Sequence, residues 1–109
     1  MEILGKRIER VLCYNAGVDM RNGFRGLTGL VKGELKEDPL SGTLFVFSNR
    51  RGNYLKGLYW DRTGYCIFSK RLLRGRFKFP FADRVQELEE KIFLLLLDGM
   101  IVVRSSEMV

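Results

Sequence analysis

With 109 residues, 46% of them hydrophobic and only two prolines, the chain is long enough for one core of two packed layers and too apolar to stay disordered. It has no histidine, which excludes Ser–His and Cys–His nucleophile pairs and histidine-bearing zinc sites, and its two cysteines are too few for a structural zinc site. Nineteen Lys and Arg stand against 13 Asp and Glu, and a pI near 9.6 points to a polyanionic partner.

Residues Ile8–Tyr14 alternate weakly, with Ile8, Arg10, Leu12 and Tyr14 on one side, which predicts a strand with one face more buried than the other. Asn15-Ala16-Gly17 breaks the pattern. Asp19 reads as the N-cap of a helix running to about Leu35, in which Met20, Phe24, Leu27, Val31 and Leu35 form one apolar stripe. Arg21, Arg25, Lys32 and Lys36 fall on the opposite side, and Gly23, Gly26, Gly29 and Gly33 lie together between the two. Each interior glycine costs roughly 1 kcal/mol relative to alanine, so packing of the stripe must hold this helix. The glycine strip either admits a close backbone neighbour or is surface without a role.

Glu37–Gly42 is a loop, and Thr43–Ser48 is rich in β-branched and aromatic residues. Strands at Tyr54–Asp61, Tyr65–Leu72 and Arg76–Phe79 follow, joined by turns at Asn49–Asn53, Asp61–Gly64 and Arg74–Arg76, with Gly64 suited to a left-handed position. Glu87, Glu89 and Glu90 open a last helix to about Leu97, their charge matching its N-terminal dipole, and Gly99 reads as its C-cap. Ile101–Val103 is expected to dock as an extended piece, with the chain frayed from Arg104. Hairpins flanked by helices predict an α+β fold: an antiparallel sheet of about four to five strands with two helices packed on one face, forming a single domain over residues 1–109.

Charge is unevenly spread. From Asn49 to Pro80 there are nine Lys and Arg against Asp61 alone, whereas the rest of the chain carries ten against twelve acids. A one-signed, aromatic run of hairpins raises the case for nucleic acid. Cys13 and Cys66 read as small hydrophobes in a reducing compartment. The longest apolar run, Ile92–Leu97, is too short to span a bilayer and the start of the chain lacks an apolar secretion core, so a cytoplasmic protein without membrane contact is expected.

Several ordered blocks carry a resemblance. Val18–Phe24 resembles a Thr-Asp-Met-Arg-Lys-Gly-Phe signature, and Asp38–Phe47 the block that follows it. Asn49–Asn53, Leu55-Lys56, Tyr59–Asp61, Lys70–Leu72, Arg74–Phe77 and Leu96–Gly99 come next in the expected order. From about Val11 to Ile101 the chain resembles the second-open-reading-frame accessory proteins, called TnpB, of the sixty-six family of bacterial insertion sequences. It departs at Val18, where Thr would offer a capping hydroxyl, at Phe79-Pro80 in place of Trp-Pro, and at Glu89 in place of Ser or Thr. The resemblance implies a protein that works beside a separate transposase and is needed for efficient transposition. It supplies no catalytic residues.

The residues themselves argue for binding over catalysis. Metal-dependent strand transfer needs carboxylates gathered around ions, whereas Asp19 and Asp61 have ordinary roles as cap and turn residues. No cofactor is expected. Candidate DNA contacts are Arg21, Arg25, Arg50, Arg51, Lys56, Arg62, Lys70, Arg71, Arg74, Arg76 and Lys78, with Tyr54, Tyr59, Trp60 and Tyr65 available to stack on bases if they lie on an open sheet face. The alternative is a protein–protein adaptor that contacts the transposase without touching DNA, through the glycine strip or an exposed sheet edge.

Overall fold

The structure is a computed structural model that describes residues 1–79 and 82–99. Its elements are β1 (Glu2–Ile3), β2 (Lys6–Arg7), β3 (Val11–Tyr14), α1 (Phe24–Gly33), β4 (Leu44–Ser48), β5 (Tyr54–Asp61), β6 (Gly64–Arg71), β7 (Val85–Leu88) and α2 (Glu90–Leu97). The first two strands pair only with each other. The other five form one sheet in the order β6-β5-β4-β3-β7.

The fold is α+β as expected, but the sheet is mixed. β3 and β4 run parallel, with Val11 opposite Leu44 and Tyr14 opposite Phe47, while every other neighbour is antiparallel. A parallel pair needs a crossover, and α1 supplies it. The helices also lie on opposite faces of the sheet and not on one. Leu27 and Val31 of α1 pack with Leu12, Tyr14, Phe45, Phe47 and Leu58. Phe93 and Leu96 of α2 pack with Val11, Cys13, Leu44, Val46, Leu55 and Tyr59. Alternate residues of each strand therefore enter different cores, and the chain has three layers where the sequence suggested two. This is why all of β3 and β4 is buried, with no half-exposed alternation to read.

Other boundaries shift for local reasons. α1 begins at Phe24, capped by the backbone of Gly23, because Asp19 spends its carboxylate on Arg21 and its carbonyl on the Asn22 N–H. The glycine strip meets open space: a Cβ at Gly23, Gly29 or Gly33 would touch nothing, and Asn22 fills the space beside Gly26. At the β5–β6 turn Arg62, not Gly64, takes the left-handed conformation, and Gly64 already pairs with Asp61. Arg76–Phe79 is not a strand. Phe77 is held by one backbone bond to the Gly52 carbonyl, and its ring enters the α2-side core. Glu87, expected to open the last helix, lies instead in a strand, residues 85–88, that pairs with β3 and sends Leu88 into the same core. α2 then starts at Glu90, and Gly99 is left-handed just past its end, as its sequence position predicts. The expectations for Ile101–Val103 and Arg104 onward fall outside the described residues.

Two side chains in β5 show how tightly the sheet is filled. The Phe68 ring of β6 lies over Gly57, where any larger residue would collide with it. The Tyr59 hydroxyl is buried without a hydrogen-bond partner among the described residues; burial, reinforced by the Cys66 thiol opposite, pushes the phenol up to about 12. A thiol is a weak partner, so the hydroxyl contributes little. Tyr59→Phe is expected to leave the urea midpoint unchanged or raise it, with a cost no larger than about 0.5 kcal/mol, since it removes an unpaired buried polar group. A loss above about 1 kcal/mol would mean that the hydroxyl is bonded in the folded protein.

Candidate nucleic-acid interface

The parallel pairing of β3 and β4 brings two loops to one end of the sheet. After β3 the chain turns through Gly17, whose φ of +66° is left-handed and where an added Cβ would come into ordinary contact with Arg50. The Val18 N–H donates to the Ser48 carbonyl at 2.8 Å, tying this loop to the end of β4. After β4, Asn49 organises the hairpin turn: its Oδ1 accepts the backbone N–H of Asn53 at 3.0 Å and of Tyr54 at 3.1 Å, and its Nδ2 donates to Asn53 Oδ1 at 2.7 Å. The side chains of Arg50 and Arg51 are thereby presented at an ordered tip.

Between these loops lies an open cleft of about 550 Å³, whose lining includes Asp19, Arg21, Arg50, Arg51, Tyr54 and Arg71. Arg71 stands opposite Tyr54 across the β5–β6 pair, its guanidinium 5.1 Å from the ring centroid. Four guanidinium groups thus meet one carboxylate. That carboxylate is committed: both Asp19 oxygens take Arg21, at 2.6 Å for the shortest contact, and the Arg21 N–H adds a bond at 2.8 Å. The Arg21 side chain and backbone hold Asp19 down at about 2, so it stays ionised and offsets Arg21 at neutral pH. Among the described residues no carboxylate lies within ion-pair distance of Arg50, Arg51 or Arg71.

The remaining candidates divide. Arg74, Arg76 and Lys78 line a second cleft of about 540 Å³ with Leu72, Asp98 and Gly99. It adjoins the first, because Leu72 N–H bonds the Asn53 carbonyl and Phe77 N–H the Gly52 carbonyl, each at 2.8 Å. Lys56 shares the α1 face with Tyr54, but its ammonium is spent on the Asn22 carbonyl at 2.9 Å. Lys70 pairs in register with Leu55 and so faces the other side of the sheet from Arg71. Arg25 is exposed on α1 and does not line the first cleft. Arg62 sits beside Asp61 at the far end of β5, about 23 Å from Tyr54 by strand rise.

Of the aromatic candidates only Tyr54 reaches the cleft. Tyr59 is in the core, and Trp60 and Tyr65 pack edge-to-face at 5.1 Å near the other end of β5. The sequence reading missed Arg84, which stands at the same end of the sheet, just before β7, with its guanidinium 5.8 Å from the Tyr14 ring. No local signal marks it, because its strand looks like a helix lead-in. Gly17 and Asn49, which shape the cleft, were visible only as loop residues.

Chemically the site offers fixed positive charge and one half-buried aromatic ring, a combination that binds anions and planar groups. Among the described residues no three His, Cys, Asp or Glu side chains come together as metal ligands, and Asp19 and Asp61 lie at opposite ends of β5. No helix among them is long and apolar enough to cross a membrane.

Known proteins supply the setting. The sequence profile of the family described as IS66 Orf2 like protein matches residues 9–107. The chain is 47% identical over 74 residues to the uncharacterized protein y4hO of Sinorhizobium fredii, covering 68% of this chain and 64% of that one. It is 36% identical over 92 residues to the uncharacterized protein y4jC of the same organism, covering 84% and 79%. The first match thus spans less than two thirds of that relative's length. No solved structure matches. With residues 9–107 matched, nearly all of its length, the chain belongs to the IS66 Orf2-like family, the accessory proteins of an insertion sequence.

Proposed function

We propose that this accessory protein takes part in transposition by binding DNA, without chemistry of its own, beside the element's transposase. The observation that supports the reading is the convergence of Arg50, Arg51 and Arg71 on one cleft, with no acidic partner among the described residues. Three like charges held together repel one another and weaken the fold unless a polyanion neutralises them. Arg74, Arg76 and Lys78 next to them extend the surface along the same end of the sheet. Guanidinium groups suit phosphate because they donate in a fixed fork.

A gel-shift titration with duplex and single-stranded DNA at 50 and 200 mM salt tests this. Binding that weakens steeply with salt is expected, with a log–log slope near −0.9 per phosphate contact on duplex or about −0.7 on single strands. Absence of binding at low salt overturns the reading. Asp19→Asn should tighten binding several-fold, because it releases Arg21 from its carboxylate and adds a free cation to the cleft. Unchanged or weaker binding by Asp19→Asn would show that the pair is needed intact to shape the loop.

The adaptor reading keeps one specific support. β6 is an edge strand of eight residues, and the outer side of such a strand is a template for another chain. Co-purification with the transposase that survives nuclease treatment favours it, and the two roles are compatible.

A further inference from the structure

We infer that the first cleft takes an unpaired nucleotide, so that the DNA form this protein prefers is single-stranded; this deepens the DNA-binding reading and rests on it. The cleft holds more than charge. Tyr54 is half-buried in it, and the exposed Arg71 guanidinium lies over the Tyr54 ring at 5.1 Å from its centroid, so an aromatic ring and a guanidinium plane stand together beside Arg50 and Arg51. A duplex shows the outside of its backbone and the edges of its bases, and keeps base faces inside its stack. Its phosphates would engage Arg50 and Arg51 and leave the Tyr54–Arg71 pair unused. A base out of the stack presents a face, and aromatic rings and guanidinium planes are the groups that accept one.

Size and position agree. The cleft, at about 550 Å³, lies within the range that takes small ligands. It sits outside the carboxyl ends of the parallel strands β3 and β4, where the loops that follow them come side by side. The Asp19–Arg21 pair makes the cleft two-sided. Its charges offset each other, so the net positive charge of the cleft lies at Arg50, Arg51 and Arg71, which draws phosphate there and leaves the sugar and base to lie along β5 toward Tyr54.

Fluorescence anisotropy with the full chain and three labelled ligands of equal length tests the inference: a thymidine strand, a strand of abasic sites and a duplex, all at one salt concentration. The thymidine strand is expected to bind at least about fivefold more tightly than the abasic strand, and more tightly than the duplex, since a stacked base contributes at least that factor. Tyr54→Ala should lose the same factor on the thymidine strand and none on the abasic strand, whereas Tyr54→Phe should keep it. Equal affinity for thymidine and abasic strands overturns the inference while leaving phosphate-driven DNA binding intact. Weakening of all three ligands alike by Tyr54→Ala does the same, and assigns the Tyr54–Arg71 pair a cross-strand structural role only. Absence of salt-dependent binding to any of the three overturns this inference and the DNA-binding reading together. The comparison of the three ligands on the unaltered protein needs no variant to fold.

Discussion

Arg50→Ala, Arg51→Ala and Arg71→Ala combined are expected to lower DNA affinity roughly a hundredfold at 50 mM salt and to reduce the salt slope by two to three. The estimate takes about 1 kcal/mol net for each exposed guanidinium–phosphate contact, or about 3 kcal/mol together, and each 1.4 kcal/mol is tenfold. Among the described residues none of the three side chains makes an ion pair that its removal would break, and Arg50 and Arg51 stand at an exposed turn held by the Asn49 side chain and not by their own. Stability should therefore change by less than about 1 kcal/mol, and a thermal melt beside the titration separates the two effects. Arg62→Ala is the matched control: it removes one charge at the far end of β5 and is expected to change affinity less than twofold. A triple variant that binds as well as the unaltered chain would place the DNA surface elsewhere and remove the support for the proposed function. An equal loss from Arg62→Ala would reduce the cleft to a share of general positive charge.

Phe93→Ala is expected to cost about 3–5 kcal/mol, a large part of what a domain of this size has. Phe93 is fully buried and is the largest side chain that α2 places against the sheet, in contact with a core built from alternate residues of β3, β4 and β5. Within α2, which has only eight residues, Leu96 is the one other fully buried side chain. The variant should unfold at much lower urea and expose the sheet. Leu27→Ala, on the opposite face, is expected to cost about 2–5 kcal/mol for the same reason. Because the two clusters are separated by the sheet, a milder pair, Val31→Ala with Phe93→Leu, should add to within about 0.5 kcal/mol. A coupling well beyond that would contradict two separate cores and favour a shared one.

Some of this architecture is legible in the residues. Strand β5 and its hairpin to β6 follow from alternating aromatics bounded by polar turns, and β4 from its β-branched run. The apolar stripe of α1 marks Leu27 and Val31 as its buried positions. The turn at Asn49–Asn53 is readable as a turn, which is enough to expose Arg50 and Arg51. By contrast, β7 defeats local reading. Val85-Gln86-Glu87-Leu88 is four residues long and half polar, and it becomes a strand only because the free edge of β3 is there to pair with it. Arg76–Phe79 fails the other way: it alternates like a strand, but among the described residues no strand pairs with it, and the buried Phe77 ring and the Phe77 backbone bond to Gly52 help hold it as a loop.

The sequence by itself determined the class of the fold, the membership of the family, the sign of the charge and the region that carries most of it. These are properties of composition and of periodicity along the chain, and both survive without knowing which strand meets which. Only the tertiary structure decided which charges act together. Arg21, Arg50, Arg51 and Arg71 are separated by up to 50 positions and share a cleft, while Arg62, in the middle of the basic run, lies at the other end of the sheet. The reason is geometric. Adjacent residues of a strand face opposite sides, so Lys70 and Arg71 part company, and a parallel crossover places the loops after β3 and β4 side by side. Charge that is contiguous along the chain is thereby divided, and charge that is distant along it is gathered.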